Sequence, residues 1–188
     1  MPSRKIVVLG SRGVGKTSIL RRFLTFPFQD EYIPTIENTY QKNYKCFEVQ
    51  FDLTLIDTRG QEKYGSLITS YTGATDGFIL IFNLCNRKSL EMISIINDEL
   101  QFETGGAPML LVGNKNDLKK ERVVKYSEGK EVAESIGCKY LECSAKENEN
   151  IEQIFEIILE EIEKRNGSLT FSHSKKTNKK QNSECIIL

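Results

Sequence analysis

The sequence predicts an α/β fold in which a mostly parallel sheet carries helices on both faces. Three short runs of consecutive apolar residues, at 6–9, 78–82 and 109–112, have the composition of parallel strands that are buried on both sides. Amphipathic stretches with helical spacing separate these runs. Because strands and helices alternate along the chain, we expect a doubly wound parallel sheet, with one antiparallel strand contributed by a hairpin.

The first third of the chain is expected to form a strand, a helix and a hairpin. The strand at 6–9 is followed directly by Gly10, and residues 17–25 carry their apolar side chains in a helical stripe. Residues 39–46 and 49–56 have the pattern of two paired strands. In the second of these, polar residues alternate with apolar ones, which is typical of a strand with one solvated face. The apolar positions are Val49, Phe51, Leu53 and Leu55.

After the buried run at 78–82, the chain is predicted to alternate helices with short strands. Residues 90–102 have helical spacing, and residues 139–143 form a last short strand. Ser127 is expected to cap the helix between them, and Gly137 to stand at the C-terminal end of that helix. The final helix has the clearest periodicity, with apolar residues at i, i+3, i+4, i+7, i+8 and i+11. They are Ile151, Ile154, Phe155, Ile158, Leu159 and Ile162.

The composition of this 188-residue chain fits one globular domain with a polar tail. Its 26 basic and 26 acidic residues balance, which argues against binding of nucleic acid through overall charge. Residues 166–188 are rich in Ser, Asn, Thr and Lys, and such a segment cannot bury enough apolar surface to offset its ordering entropy. The sequence therefore predicts an acidic domain at residues 1–165 (net charge −3) and a flexible basic tail (net charge +3).

Cysteine content and hydropathy exclude several other classes of protein. Five cysteines are too few, odd in number and unpatterned for a disulfide scaffold. The N-terminus lacks a secretory signal, and the longest apolar run, at 78–82, is far shorter than a membrane span. We therefore expect a reduced, intracellular protein. Structural thiols are expected at Cys46, Cys85, Cys138 and Cys143.

A phosphate-binding motif lies between the first strand and the first helix. Residues 10–17 match G-x-x-x-x-G-K-[ST], in the strand-to-helix context that the motif requires. Gly13 and Gly15 allow backbone N–H groups to point at phosphate oxygens, at a helix N-terminus that favours anions. Lys16 supplies a cation for the β- and γ-phosphates, and the Thr17 hydroxyl is suited to bind Mg²⁺.

Two further motifs follow strands at the same edge of the predicted sheet. Asn114-Lys115-Asn116-Asp117 follows the run at 109–112, at the strand end where open α/β sheets bind ligands. An aspartate carboxylate can accept two N–H donors from the guanine edge, a pattern that adenine does not offer. A second motif, at 144–146, follows the last strand. Each is weak alone, because N-K-x-D also occurs as an ordinary polar turn. Together with the phosphate motif they indicate a guanine nucleotide.

These motifs resemble the Ras superfamily of small GTPases over residues 4 to about 165. The resemblance is strongest to the Rheb subfamily, with Rap and Ras next, and the segments 34–39 and 121–130 favour Rheb. It implies a P-loop NTPase small G domain with a six-stranded sheet. The segments that carry it are Gly10 to Thr17, Tyr32 to Glu37, Asp57 to Glu62, Asn114 to Asp117 and Ser144 to Lys146.

The resemblance also implies roles for individual residues. Gln61 would position the attacking water, and Lys16 and Thr35 would complete the catalytic set. Thr17, Thr35 and Asp57 would hold Mg²⁺, and Phe28 would pack on the guanine ring, although from the sequence alone it reads as a core aromatic. The implied nucleotide-binding residues are Arg12, Gly13, Val14, Gly15, Lys16, Thr17, Ser18, Phe28, Thr35, Gly60, Asn114, Lys115, Asp117, Ser144, Ala145 and Lys146.

Two arginines bear on the hydrolysis rate that the resemblance implies. Arg12 stands where most of the superfamily has Gly and Rheb-like proteins have Arg, and Arg59 replaces an Ala that is nearly uniform in the family. One hypothesis is that both hinder the positioning of water, which gives slow hydrolysis and a GTP-biased switch. A rival hypothesis makes Arg59 a built-in arginine finger. The third interpretation is that both guanidiniums simply point into solvent.

The last four residues form a lipidation motif. Cys185-Ile-Ile-Leu188 is a C-a-a-X box in which X = Leu favours geranylgeranylation. Four lysines, at 175, 176, 179 and 180, can add electrostatic attraction to an anionic leaflet. The predicted location is therefore the cytoplasmic face of a membrane, reached through a prenyltransferase, with the unmodified protein in the cytosol.

Three functions account for these motifs to different degrees. The first is a membrane-anchored GTPase with Mg²⁺ and GTP/GDP, a monomeric G domain that signals to effectors through switch I (30–40) and switch II (57–75). The second is a GTP-dependent adaptor that barely hydrolyses GTP because of Arg12 and Arg59. The third, a metabolic P-loop kinase, leaves the base motif and the lipidation box unexplained. Resemblance to Rheb makes a TOR-kinase pathway the leading effector, with an activating protein and an exchange factor as further partners.

Overall fold

The computed structural model describes residues 1–31, 33–60, 71 and 73–168, and it has a six-stranded sheet with helices on both faces. The strands are β1 (Ser3–Leu9), β2 (Glu37–Cys46), β3 (Val49–Thr58), β4 (Gly77–Asn83), β5 (Met109–Asn114) and β6 (Lys139–Glu142). The helices with assigned bounds are α1 (Lys16–Phe23), α2 (Arg87–Thr104), α3 (Tyr126–Ser135) and α4 (Ile151–Arg165).

The order of the strands confirms the predicted doubly wound sheet with one antiparallel strand. The order is β2-β3-β1-β4-β5-β6, and every neighbouring pair is parallel except β2 with β3. The β2–β3 ladder extends further than the alternation in the sequence indicated, because pairing continues to Glu37 opposite Thr58. This extension places Asn38 opposite Asp57, so the start of β2 lies beside the carboxyl end of β3.

Strand β1 shows why the central strands are apolar without interruption. Ile6 and Val8 face a core layer that α1 and α4 cover, whereas Val7 and Leu9 face a second layer that α2 and α3 cover. All four side chains are fully buried. A strand that is buried on both faces has no position for a solvated side chain, so its sequence loses the period of two.

The cap predicted for α3 is wrong at Ser127. The helix begins at Tyr126, and Lys125 is its N-cap residue. The backbone N–H of Lys125 donates to Glu128 Oε2 at 2.8 Å, and the side chain of Arg87 holds the Glu128 carboxylate from α2. The Glu128 side chain therefore accepts a backbone N–H at the start of the helix, and a serine cap is not used. Gly137 does stand just past the C-terminal end of α3, with φ of 72°, as predicted.

The last helix ends at Arg165, and most of the predicted tail lies outside the described residues. The boundary between an acidic domain and a basic tail therefore stays a prediction. Within the described parts of the chain, no helix has the length and apolar character that crossing a bilayer requires. Cys46, Cys85, Cys138 and Cys143 are all free thiols, as expected.

Candidate nucleotide-binding site

The predicted phosphate loop connects β1 to α1 at the carboxyl edge of the sheet. Gly15 precedes α1 with φ of 100°, in the left-handed region that side chains rarely adopt. A Cβ at this position would lie 2.2 Å from Nδ2 of Asn114, in the predicted base motif. Glycine is therefore required here both by the backbone conformation and by the close approach of a second loop.

Lys16 lies beneath this loop with only 6% of its surface exposed. Its Nζ donates to the carbonyl oxygens of Gly10 at 2.8 Å and Ser11 at 3.0 Å, which fixes the ammonium group in the curve of the loop. Burial lowers the pKa of Lys16 to about 8, and the nearby Asp57 carboxylate partly opposes this shift. A phosphate group at the loop would raise the pKa of Lys16 again, because a nearby anion stabilises the charged amine.

Three oxygen-bearing side chains, Thr17, Thr35 and Asp57, meet beside Lys16. The Thr17 hydroxyl lies 2.8 Å from the Thr35 hydroxyl and donates to Asp57 Oδ2 at 2.8 Å. Asp57 is fully buried, and among the described residues its Oδ1 has no hydrogen-bond partner. Burial raises the pKa of Asp57, against the hydrogen bond from Thr17. This set of hard oxygen atoms with a buried carboxylate fits Mg²⁺, which prefers such ligands.

The segment after β3 approaches the phosphate loop at Gly60. A Cβ on Gly60 would lie 2.4 Å from the Cα and 2.6 Å from the backbone N of Arg12. The two loops are thus in backbone contact, which only glycine permits at position 60. The side chains of Arg12 and Arg59 are exposed in the same region. This exposure leaves all three interpretations of the arginines open.

The predicted base motifs at 114–117 and 144–146 are held together by side chains. Asn114 Nδ2 donates to the Val14 carbonyl at 2.9 Å, and Asn114 Oδ1 accepts the Ala145 N–H at 3.2 Å. The Ser144 hydroxyl donates to Asp117 Oδ1 at 2.6 Å. Asn114 therefore links the phosphate loop to both base loops, and Ser144 orients the carboxylate that is predicted to read guanine.

Most of the predicted nucleotide-binding residues line one cavity of about 660 Å³, a size suited to a small-molecule ligand. Arg12, Val14 and Ser144 do not line it; Val14 and Ser144 are buried behind its wall. The predicted residues that do line it are Gly13, Gly15, Lys16, Thr17, Ser18, Phe28, Thr35, Gly60, Asn114, Lys115, Asp117, Ala145 and Lys146.

Phe28 lies at the boundary between the cavity and the core, and its packing on a guanine ring stays a prediction. It lines the cavity and also packs against the core layer under α1 and α4. The sequence reasoning missed Arg21 and Leu118 as lining residues. Arg21 follows Thr17 by one helical turn and Leu118 follows Asp117 directly, so spacing from the motifs could have found both. The predicted residues Gln61 and Cys185 lie outside the described residues.

Comparison with known proteins agrees with this geometry. The family model described as Ras family matches residues 5–164. GTP-binding protein rhb1 of Schizosaccharomyces pombe is 41% identical over 165 residues, which cover 87% of this chain and 89% of the relative. GTP-binding protein Rheb of Homo sapiens is 42% identical over 168 residues, covering 88% and 91%. The Rheb homolog of Dictyostelium discoideum is 41% identical over 163 residues, covering 86% and 88%.

The order of the sheet, the cavity formed by the phosphate loop, switch I and the base motifs, and these matches lead to one assignment. The predicted fold is confirmed, and so is the resemblance to Rheb proteins. The chain belongs to the Ras family of small GTPases.

Proposed function

We propose that this GTPase is a Mg²⁺-dependent switch on a membrane surface, with slow GTP hydrolysis. As a Ras-family member it binds guanine nucleotides, hydrolyses GTP to GDP and phosphate, and signals to effectors. The observation that carries the finer proposal is the cluster of Thr17, Thr35 and Asp57. It joins the phosphate loop, switch I and the end of β3 through one hydroxyl group.

The residues of this cluster account for a switch. Lys16 would hold the β- and γ-phosphates, while the Thr17 and Thr35 hydroxyls and the Asp57 carboxylate would hold Mg²⁺. When bound, Mg²⁺ would neutralise negative charge on the phosphate oxygens. Thr35 belongs to switch I, and Gly60 follows Asp57 at the start of switch II. Loss of the γ-phosphate removes what both loops bind, so their arrangement reports the nucleotide state.

Hydrolysis is proposed to be slow because Arg12 and Arg59 crowd the phosphate end of the site. Arg12 lies in backbone contact with Gly60, and Gln61, which is proposed to orient the attacking water, follows directly. Side chains as long as arginine at both positions would be able to reach this space and compete with water there. The same observation favours a second candidate, a GTP-dependent adaptor with little or no hydrolysis.

Effector binding is proposed to use the exposed apolar side chains of switch I. Ile33 is 66% exposed and Ile36 is 80% exposed, on either side of Thr35. Large apolar side chains that remain exposed beside a nucleotide-dependent residue suit a partner that binds one state. By the resemblance to Rheb, a TOR-kinase pathway is proposed as the effector system, with an activating protein and an exchange factor as regulators.

The membrane part of the proposal depends on Cys185. A prenyltransferase would attach a geranylgeranyl group there, and the four lysines of the tail would add attraction to anionic lipid. A single chain gives only reversible binding, so both contributions are needed. The proposed location is the cytoplasmic face of a membrane.

Nucleotide release with and without EDTA tests the central proposal. We expect EDTA to accelerate GDP release from the wild-type protein, and ATP to fail as a competitor. Asp57→Asn should lose most of the EDTA effect, because it removes the buried carboxylate. Asp76→Asn is the matched control, since Asp76 accepts the Lys5 N–H at 2.7 Å at the opposite end of the sheet. An EDTA effect that is absent in the wild type, or undiminished in Asp57→Asn, would contradict the Mg²⁺ assignment.

A further inference from the structure

An ion pair outside the recognised motifs connects the two loops that are assigned to the base. Arg122 follows Asp117 by five residues, and Glu142 is the last residue of β6, two residues before Ser144. The Arg122 guanidinium donates through both terminal nitrogens to the two oxygens of Glu142, one of them at 2.9 Å. This forked geometry fixes the orientation as well as the distance of the pair.

Both partners of this pair are held from other directions. Arg122 Nε donates to the Val124 carbonyl at 2.7 Å, and the Tyr140 hydroxyl donates to Glu142 Oε1 at 2.8 Å. Their side chains are only 23% and 12% exposed. A charge pair that is largely shielded from water, and whose other donors and acceptors are satisfied, is stronger and more rigid than a surface ion pair.

The ion pair joins the same two loops as the contacts that set the base-binding surface, without lining the cavity itself. Ser144 donates to the cavity-lining Asp117 at 2.6 Å, and the Ala145 N–H donates to Asn114 Oδ1 at 3.2 Å. The Asn116 N–H donates to the Cys143 carbonyl at 3.0 Å. The Arg122–Glu142 fork is a further connection between the same two loops, and it joins two fully charged side chains. Without it, the separation of the loops would depend on hydrogen bonds from neutral donors.

We propose that Arg122 and Glu142 are positioning residues for guanine recognition. They hold the loop of Asp117 against the loop of Ala145. The Asp117 carboxylate and the Ala145 backbone are thereby kept at a fixed distance from each other, on which binding of the base depends. The inference rests on the proposed assignment of Asp117 to the base. It predicts that weakening the pair impairs contacts to the guanine edge more than contacts to the phosphates, which come from a different loop.

Release rates of GDP and inosine diphosphate from the same variant test this inference. Inosine diphosphate lacks the exocyclic amine, so it cannot use the second acceptor position of Asp117. Glu142→Gln keeps the size of the side chain but removes its charge and one acceptor. We expect about tenfold faster release of GDP and no more than about threefold faster release of inosine diphosphate.

A matched control separates positioning from general stability. Arg4 and Glu163 form an ion pair between β1 and α4, at 2.6 Å and with exposures of 16% and 6%, far from the base loops. Glu163→Gln should lower the melting temperature without changing the ratio of the two release rates. Arg122→Lys keeps the positive charge but loses the pair of parallel hydrogen bonds to Glu142. Its ratio of release rates should therefore lie between those of the wild type and Glu142→Gln.

The outcomes distinguish this inference from the function on which it rests. If the wild-type protein releases both nucleotides at the same rate, the assignment of Asp117 to the base fails. If the wild type discriminates and both variants keep its ratio, the positioning role is overturned while the base assignment stands. A reduced ratio in Glu142→Gln and Arg122→Lys, but not in Glu163→Gln, supports the inference.

Discussion

Gly60 packs so closely against Arg12 that a Cβ added at position 60 would lie 2.4 Å from the Arg12 Cα. The segment that begins switch II is therefore in backbone contact with the phosphate loop. We expect Gly60→Ala to push this segment away from the γ-phosphate position, because the added methyl group would clash with backbone atoms that cannot rotate away. GDP binding should be retained, while GTP-dependent effector binding should fall at least about tenfold.

Gly73→Ala is the matched control for this prediction. Gly73 also lies in switch II, but a Cβ there would have nothing within 4 Å among the described residues. This variant should therefore leave the contact with the phosphate loop, and the nucleotide dependence of effector binding, unchanged. Effector binding should be compared with protein loaded with GDP and with a non-hydrolysable GTP analogue. Equal nucleotide dependence in Gly60→Ala and wild type would contradict the coupling of the two loops.

Nucleotide binding should take up a proton at alkaline pH through Lys16. The pKa of Lys16 in the free protein is lowered to about 8, and phosphate oxygens will raise it. Lys16 is mostly protonated before binding at neutral pH, so uptake there is small. At about pH 8.5 we expect more than about half a proton per nucleotide.

Calorimetric titrations in buffers of different ionisation enthalpy measure this uptake. Lys16→Arg is the control, since a guanidinium stays protonated throughout this range. Whatever its affinity, the variant should show no uptake that increases from pH 7 to pH 8.5. Uptake that is absent in the wild type at both pH values would refute a lowered pKa for Lys16.

Removal of the Ser144 hydroxyl should accelerate GDP release. Ser144 is fully buried and donates to Asp117 at 2.6 Å, so Ser144→Ala leaves the carboxylate free to rotate. Loss of one hydrogen bond to a charged group predicts about fivefold to tenfold faster release. Ser89→Ala also removes a buried, hydrogen-bonded hydroxyl, at the start of α2, and should leave the release rate unchanged. Similar rates for the two variants would exclude an orienting role for Ser144.

Single-turnover hydrolysis of GTP by Arg59→Ala separates the hypotheses about the arginines. If Arg59 hinders the positioning of water, its removal should raise the rate. If Arg59 stabilises charge in the transition state, its removal should lower the rate by orders of magnitude. Arg12→Gly tests the same crowding from the phosphate loop. An unchanged rate in both variants would leave the solvent-pointing interpretation as the correct one.

Membrane association should depend on Cys185. In cells, Cys185→Ser should move the protein from the membrane fraction to the cytosol, because the attachment point of the lipid is gone. Replacement of the four tail lysines by Gln should weaken association without abolishing prenylation. Cys138→Ser is a suitable control, since Cys138 is a free thiol of the folded domain. An unchanged membrane fraction for Cys185→Ser would rule out this anchor.

Local patterns were sufficient to predict most of the secondary structure. The run at 6–9 became the C-terminal half of β1, and the apolar stripe from Ile151 became α4. The cap at Ser127 was mispredicted because the residue that stabilises the start of α3, Glu128, is itself fixed by Arg87 from another helix. Arg87 and Glu128 are 41 positions apart, so a local sequence pattern cannot predict their contact.

For the site, the sequence alone determined which residue types meet a nucleotide, because the phosphate and base motifs are short and contiguous. Only the tertiary structure decided how they cooperate. Thr17 reaches Asp57 across 40 positions, and Arg122 reaches Glu142 across 20. The parallel sheet brings the carboxyl ends of β1, β3, β5 and β6 to one edge, and that convergence is a property of strand order rather than of any segment. The motifs therefore predict the class of ligand. The packing of the loops against one another determines how the binding residues are arranged around that ligand.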